Sequence, residues 1–360
     1  MKKVAIALSG GVDSSVSAYL LKKKGYNVIG IYMYNWSKNN CIWEDIRDAI
    51  LITNKLKIPF YILDFRKQYK KEVIKYMFNG YKKGITPNPD IICNKKIKFG
   101  LFLKSALKLN VDYIATGHYV RKKKIYKNNK IIYSLLTGKD SKKDQSYFLC
   151  RINQLQLSKS LFPLGNLTKN KVRKIALKLN FYNANKKDSQ GLCFVGKINI
   201  INFLQKKIKK KKGNIYYFSS KKKKCKVIGK HYGYYYYTIG QRKNLNIKGN
   251  KYPLYLFKKN IKNNKLYVCE RKDINLYKKI IFIKKQTIHW INNEFLLKLK
   301  KKKKIKVISK IRYNIKRIKS YLKYYNLGIL VKFKDYQFAV TPGQFIVWYI
   351  NNELIGSGII

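Results

Sequence analysis

Acidic side chains are scarce in this chain. Its 360 residues include 16 Asp and Glu against 81 Lys and Arg, a formal net charge of +65. Long apolar runs are missing too. No stretch reaches the roughly 18 consecutive apolar residues of a membrane-spanning helix. The opening MKKVAIALSGG has five apolar residues after its lysines, too short for a secretory h-region, and reads as a strand. The six cysteines, Cys41, Cys93, Cys150, Cys193, Cys225 and Cys269, form no CxxC pair and no tight cluster. That spacing speaks against a four-thiolate zinc site and against a disulfide scaffold, and it fits a reducing cytoplasm. The sequence shows no dedicated metal cage.

What is present is a chain long enough for two or three domains at about 150 residues each. Its 46% hydrophobic content is ample for packed cores and contrary to wholesale disorder. The positive charge admits two readings. It attracts polyanions, nucleic acid first. It also accompanies a text crowded with Lys, Asn, Ile and Tyr, the residues towards which an AT-rich genome drifts. Charge alone does not choose between them.

The first 120 residues alternate short apolar runs with helical patterns. Residues 4–8 form a continuous apolar run, the mark of a buried parallel strand. Val12, Val16, Tyr19 and Leu20 then recur at helical spacing, and Gly25 supplies a stop. Residues 28–33 and 60–63 read as further strands. Residues 43–56 read as a helix with Trp43, Ile46, Ile50 and Leu51 on one face. Helices are expected over 67–81 and 97–109, and a short strand over 113–115. This βαβα order predicts a doubly wound parallel sheet. Residues 145–205 look mainly helical, with Val172, Ile175, Ala176 and Leu179 on one face. Beyond about residue 206, lysine runs at 209–212, 221–224 and 300–304 separate short β-like stretches and read as solvated loops. Ile329, Val331 and Phe333 alternate with Leu330, Lys332 and Lys334, and Gly343, Asn351-Asn352 and Gly356 read as turns.

The sharpest motif is Ser9-Gly10-Gly11-Val12-Asp13-Ser14-Ser15, set between a buried strand and an amphipathic helix. Two glycines allow a tight turn and bring N–H groups close to an anion. The serine hydroxyls add donors, and the helix N-terminus adds partial positive charge. The motif lacks the Gly-Lys-Ser/Thr ending of a P-loop and the GxGxxG spacing of a dinucleotide fold. It looks like the pyrophosphate loop of ATP pyrophosphatases, which split ATP into AMP and pyrophosphate to adenylate an oxygen. The loop alone leaves the substrate open, from GMP synthetase to tRNA thiolases.

A second motif, TPNPDIICNK over residues 86–95, reads as a rigid Pro-rich loop leading to Cys93. Asp188-Ser189-Gln190-Gly191-Leu192-Cys193-Phe194 supplies another cysteine in a Gly-containing loop. Either cysteine alone could be a small buried hydrophobe. Loops rich in Pro, Asn, Asp and Gly favour a reactive thiol.

Together these segments resemble the bacterial tRNA-specific 2-thiouridylases, the MnmA family. The matching stretches run in order along almost the whole chain: SGGVDSS, Met33 with Asn35-Trp36, TPNPDIICNKKIKF, ATGHYV, KDQSYF, LFPLG, KKDSQGLCFVG, YTIGQR and VTPGQ. The resemblance implies an adenine nucleotide alpha hydrolase-like, doubly wound parallel-sheet α/β N-terminal domain followed by two small β domains. The expected divisions are 1–205 (catalytic, with a helical tRNA-contacting part), 206–275 (central β) and 276–360 (C-terminal, β-barrel-like).

The same resemblance implies a two-stage reaction on the wobble uridine of tRNAs for Lys, Glu and Gln. ATP, with Mg²⁺ offsetting the charge of the leaving pyrophosphate, adenylates the C2 oxygen. A sulfur nucleophile then displaces AMP. Cys193 would receive sulfur as a persulfide from a cysteine desulfurase or a relay protein. Cys93 would be its partner thiol and could resolve the persulfide as a disulfide. Asp90 is the acid/base candidate. ATP would lie against Ala7, Leu8, Ser9, Gly10, Gly11, Val12, Asp13, Ser14, Met33 and Gly117. The target base would meet Asn88, Pro89 and Asp90, splayed from its stack. Further tRNA contacts fall on His118, Lys143, Asp144, Gln145, Arg312, Tyr313 and Gln344. A monomer without membrane attachment is expected. His231 and His289 read as structural.

The chain departs from the family's pattern in places. Asn244 and Asn246 replace glycines, Tyr34 stands where a lysine is usual, and Gln190 replaces a smaller residue. Asn tolerates left-handed backbone better than most residues, so the central turn can survive. Two rival functions remain at this point. One is an amide-forming adenylating ligase, which leaves both cysteines idle. The other is a basic RNA-binding protein with an eroded nucleotide fold, which the intact SGGVDSS does not suggest.

Overall fold

The computed structural model describes every residue except 37–41, 128, 189–190, 192, 194–198, 221–223, 246 and 248–251. Cys41, Gln190 and Asn246, together with parts of the KKDSQGLCFVG stretch and the 221–224 lysine run, therefore lie outside the described residues.

The apolar runs of the first 120 residues become one parallel sheet. Strands β1 (Lys3–Leu8), β2 (Asn27–Tyr34), β3 (Phe60–Asp64) and β4 (Tyr113–Ala115) pair in the order β3–β2–β1–β4, and the short strand Ser160–Leu161 extends the β4 edge. Val4, Ala5 and Ile6 of β1 are fully buried, as a strand covered on both faces must be. Helices α1 (Val12–Lys23) and α2 (Ile42–Leu56) follow β1 and β2. The strand order reverses between β1 and β4, so a topological switch point opens at their carboxyl ends, where α/β sheets bind ligands.

Two helices differ from the expectation. On α2 the buried side is Ile42, Ile46, Ala49, Ile52, Thr53 and Leu56, while Trp43 is 74% exposed. Both faces satisfy helical spacing, and the better one starts a residue earlier. The segment expected to remain a Pro-rich loop is helical from Pro89 onward. Asn88 caps it, its side chain accepting from the Ile91 N–H at 3.3 Å, and Pro89 occupies the first helical position, where a missing N–H costs nothing. The helix runs through residues 89–107, and its middle, Asn94–Phe102, is a π-helix.

A second sheet orders Leu254–Asn260, Lys265–Glu270, Gly213–Ser219 and Lys224–His231. The third sheet holds the C-terminal strands, with Ile329, Val331 and Phe333 facing inward as the alternation predicts. It also recruits a hairpin that follows β4 of the first sheet. Lys130–Thr137, paired to Val120–Lys127, joins Glu353–Ile359 through Leu136↔Glu353 and Leu135↔Leu354. The N-terminal and C-terminal regions are thus stitched by backbone pairing. Gly356, expected in a turn, lies inside that last strand. The lysines at 300–302 end helix Glu294–Lys302 rather than forming a loop, a placement the helix dipole favours. No described helix is long and apolar enough to cross a membrane.

Candidate functional site

The turn after β1 forms the first half of the site. Gly10 takes φ +68°, and a Cβ there would sit 2.8 Å from the Asp45 Cα. Only glycine fits this close approach. Gly11 precedes α1, which has no side-chain cap at its N-terminus, so the first-turn N–H groups keep their capacity for an anion. Ser14 Oγ donates to the Gly11 carbonyl at 2.9 Å and stands 3.3 Å from Ser9 Oγ. Asp13 would repel a phosphate, but its carboxylate accepts from the Tyr119 hydroxyl and from Lys169 Nζ, each at 2.7 Å. Gly117, at the end of β4, closes the other side. A Cβ on it would lie 3.0 Å from the Asp13 carbonyl carbon and 3.1 Å from Ser14 N. Ala7, Leu8, Val12 and Met33 are buried beneath the turn.

The thiols form the second half. Cys93 closes the first α-helical turn of the helix begun at Pro89, just before its π-helical stretch, and is fully buried; Cys193 is half-buried, and neither is in a disulfide. One hundred positions apart in sequence, the two thiols come close enough for each to shift the other's proton affinity. Burial, and then Cys193 itself, push the Cys93 thiol well up. Donation from Cys93, aided against burial by Lys98, pulls Cys193 below the ordinary thiol range. Of the pair, Cys193 is the thiol that ionises more readily and Cys93 the one that keeps its proton. The Cys193 backbone is held at both ends: its N–H donates to Asp90 Oδ1 at 3.0 Å, and its carbonyl accepts from the Tyr69 hydroxyl at 2.6 Å. Burial raises Asp90, with the Cys193 N–H and Lys98 opposing.

Lys98 and Tyr69 escape a reading of the sequence. Five positions separate Cys93 from Lys98, which on an ordinary α-helix is about 140° away from the same face. The π-helical stretch, bonded i to i+5, turns them towards one side. Burial alone would lower Lys98, but the two sulfurs outweigh it and raise its affinity for the proton. Lys98→Met is therefore expected to move the pH inflection of Cys193 alkylation upward, slowing modification at neutral pH. Peptide mapping after iodoacetamide treatment measures this, and an unmoved inflection would exclude Lys98 as the charge that holds the thiolate.

His118 adjoins Gly117 and connects the two halves. It is 8% exposed, its Nδ1 lies 2.8 Å from Thr116 Oγ1, and its ring packs against Phe99. Burial, then the Lys98 charge, drive its pKa well down, so the imidazole is neutral. Gln344 reaches the same region from the C-terminal segment. Its Nε2 donates to the Thr86 carbonyl at 2.9 Å, and Asn88 donates to its Oε1 at 3.5 Å.

The other residues proposed to touch tRNA are placed as follows. Asp144 is buried and accepts from the Gly138 and Ser146 N–H groups. Gln145 Oε1 accepts from the Tyr119 N–H at 3.0 Å. Lys143 pairs with Asp188. Arg312 donates to Ala339 O and Thr341 Oγ1, and Tyr313 packs on Phe148 with centroids 4.5 Å apart. Among the described residues no cluster of three His, Cys, Asp or Glu could hold a metal.

The fold and the site together define a class: a doubly wound α/β protein with an anion-accepting turn at its switch point and a thiol pair beside it, continued by two β modules. Residues 2–197 match a family model described as the tRNA methyl transferase HUP domain, 201–270 the tRNA methyl transferase PRC-barrel domain, and 283–360 the aminomethyltransferase beta-barrel domain. A protein of Karelsulcia muelleri named tRNA-specific 2-thiouridylase MnmA is 54% identical over all of this chain and 98% of its own. Proteins of the same name from Flavobacterium johnsoniae and Buchnera aphidicola are 43% and 45% identical, again over all of this chain, covering 100% and 96% of theirs. The chain belongs to the tRNA-specific 2-thiouridylase MnmA family.

Proposed function

We propose that the chain is an ATP-dependent tRNA uridine 2-sulfurtransferase. One observation carries this reading. The residue pair Gly117-His118 packs on the Ser9–Ser15 turn at one side; at the other its imidazole lies against Phe99 and in the field of Lys98, which itself lies in the field of both thiols. A nucleotide turn and a thiolate next to a second thiol are what sulfur substitution at an activated oxygen requires. An amide-forming ligase has no use for the thiols.

In this reading ATP binds against Ala7 to Ser14, Met33 and Gly117. The C2 oxygen of a wobble uridine, in tRNAs for Lys, Glu and Gln, attacks the α-phosphorus and releases pyrophosphate. Cys193 carries a sulfane sulfur received from a cysteine desulfurase or a relay protein. That sulfur attacks C2, and AMP leaves with the original oxygen. Cys93 then attacks the Cys193 sulfur, which frees 2-thiouridine and leaves a Cys93–Cys193 disulfide for a cellular thiol to reduce. Asp90, buried enough to hold a proton above the usual carboxylate range, serves as acid/base. Asn88, Pro89 and Asp90 receive the base, with Gln344 bracing Asn88. His118, Lys143, Asp144, Gln145, Arg312 and Tyr313 serve the tRNA side, directly or by shaping it. Mg²⁺ would supply charge compensation for the leaving pyrophosphate when bound with the nucleotide. ATP and tRNA place the enzyme in the cytoplasm, where it acts as a monomer.

The test is nucleoside mass spectrometry of tRNA incubated with the protein, ATP, Mg²⁺ and a sulfane-sulfur donor such as a polysulfide. The expected product is 2-thiouridine at the wobble position, dependent on ATP. Unmodified tRNA beside active, folded protein would refute the reading. Affinity for tRNA should also fall steeply with salt through counterion release; a flat response in filter binding would refute a phosphate-tracking surface.

A further inference from the structure

The second sheet has two faces of different character. Ile215, Leu256, Leu266 and Val268 point one way and are fully buried. Strand alternation sends their neighbours to the other face, where four half-buried aromatic rings meet. Tyr216 and Tyr267 pair across adjacent strands and stack, with centroids 5.4 Å and planes 24° apart. Phe257 lies 6.4 Å from Tyr267 and 5.9 Å from Phe218, centroid to centroid. A bulge brings it there. Leu256 pairs with Val268 and Lys258 with Tyr267, so Phe257 is the extra residue, re-aimed outward as bulges do. Lys258 Nζ stands 5.8 Å over the Tyr267 ring, and Lys265 Nζ stands 5.1 Å over Tyr216. The carboxylates of Glu270 and Asp273 are engaged elsewhere, accepting from the Tyr217 hydroxyl at 2.9 Å and from Ser220 Oγ at 2.8 Å.

We propose that this face of the second sheet binds an unpaired stretch of RNA, with bases stacking on the row Tyr216, Tyr267, Phe257 and Phe218 and phosphates meeting Lys258 and Lys265. The site uses no residue of the nucleotide turn or of the thiol pair, and it does not rest on the thiolation reading. Every base has a π-face, so a row of rings accepts bases without regard to sequence. Paired RNA keeps its bases inside the helix, out of reach of the rings. The lysines hold their rings weakly, as cations over aromatic faces do near water. They can swing to phosphates and leave the rings to the bases. A protein seated here would instead bury two ammoniums and forfeit their hydration. A second copy of the chain is disfavoured further, because each carries a net charge of +65 and like charges of that size repel.

The test is fluorescence anisotropy of the full-length protein with a labelled oligocytidylate of about 12 nucleotides. This probe offers neither a uridine for the target-base site nor an adenine for the nucleotide turn. The wild type is expected to bind it. Tyr216→Leu and Tyr267→Leu, which keep an apolar side chain but lose the ring, each weaken binding by about tenfold. Tyr216→Phe and Tyr267→Phe retain it. Lys258→Gln and Lys265→Gln each flatten the slope of log affinity against log salt by about 0.7. Circular dichroism checks the fold of every variant. Ultraviolet crosslinking of the wild type to the same probe, mapped by peptide mass spectrometry, needs no variant and is expected to mark Tyr216, Tyr267 or Phe257. A wild type that does not bind, crosslinks confined to other surfaces, or folded leucine variants that bind as well as the wild type overturn the proposal. So does a dimer in sedimentation that Tyr267→Leu dissociates, which would give the face to a second copy.

Discussion

Replacing Cys193 with serine is expected to lower tRNA thiolation by about three orders of magnitude or more, as loss of a covalent nucleophile does, while ATP and tRNA still bind. The hydroxyl keeps the size of the thiol, but it cannot hold a sulfane sulfur and is not ionised at neutral pH. Its backbone clamp, Asp90 on the N–H and Tyr69 on the carbonyl, involves no side-chain atom of residue 193 and survives the change. Structure and thiolation therefore separate. Cys93→Ser behaves differently. The resolving thiol is gone but the carrier remains, so a persulfide-loaded protein reaches the stage in which base and Cys193 share a disulfide and stops there. A protein–tRNA adduct cleaved by dithiothreitol is expected on denaturing gels. Undiminished thiolation by the Cys193→Ser protein would sink the sulfur relay, and absence of the adduct would remove Cys93 from the resolving role.

Gly10→Ala is expected to weaken ATP binding by about 100-fold, or about 2.7 kcal/mol. Left-handed backbone costs a non-glycine residue about 1–2 kcal/mol. The new Cβ also overlaps backbone atoms of Asp45, which cannot rotate aside as a side chain would. The turn must open, and with it the array of N–H groups. Gly11→Ala is the informative contrast. Its φ of −93° suits any residue, and a Cβ there meets only Ser9 Oγ at 3.5 Å. The folded protein tolerates it, so any loss of affinity at Gly11 reports contact with the phosphates rather than strain. Calorimetry with a non-hydrolysable ATP analogue, beside thermal melts, measures both. Equal affinity for Gly10→Ala and wild type would mean that the turn does not hold the nucleotide.

Much of the architecture was legible because parallel strands buried on both faces need unbroken apolar runs, and residues 4–8 and 28–33 supply them. The anion turn was legible because its requirements are local: two glycines, serines and a following helix. The family stretches, from SGGVDSS to VTPGQ, were legible as a pattern. The face of α2 was misplaced because two stripes fit the same period and only the sheet decides which is covered. The start of the Cys93 helix was hidden because proline was read as a loop signal, although the first helical turn accepts it.

The sequence by itself determined the Gly-Gly turn after β1, the parallel sheet and the two thiols worth watching, since each depends on neighbouring residues or on a short periodic pattern. Only the tertiary structure decided which thiol ionises more readily. That depends on Lys98, turned towards Cys93 by a π-helical register, on a proton donor 100 positions away, and on burial. The tie from Asp13 through Lys169 to Asp188 was equally unreadable in one dimension, because charge pairing acts through space and a lysine among 81 basic residues carries no mark of the partners it will meet.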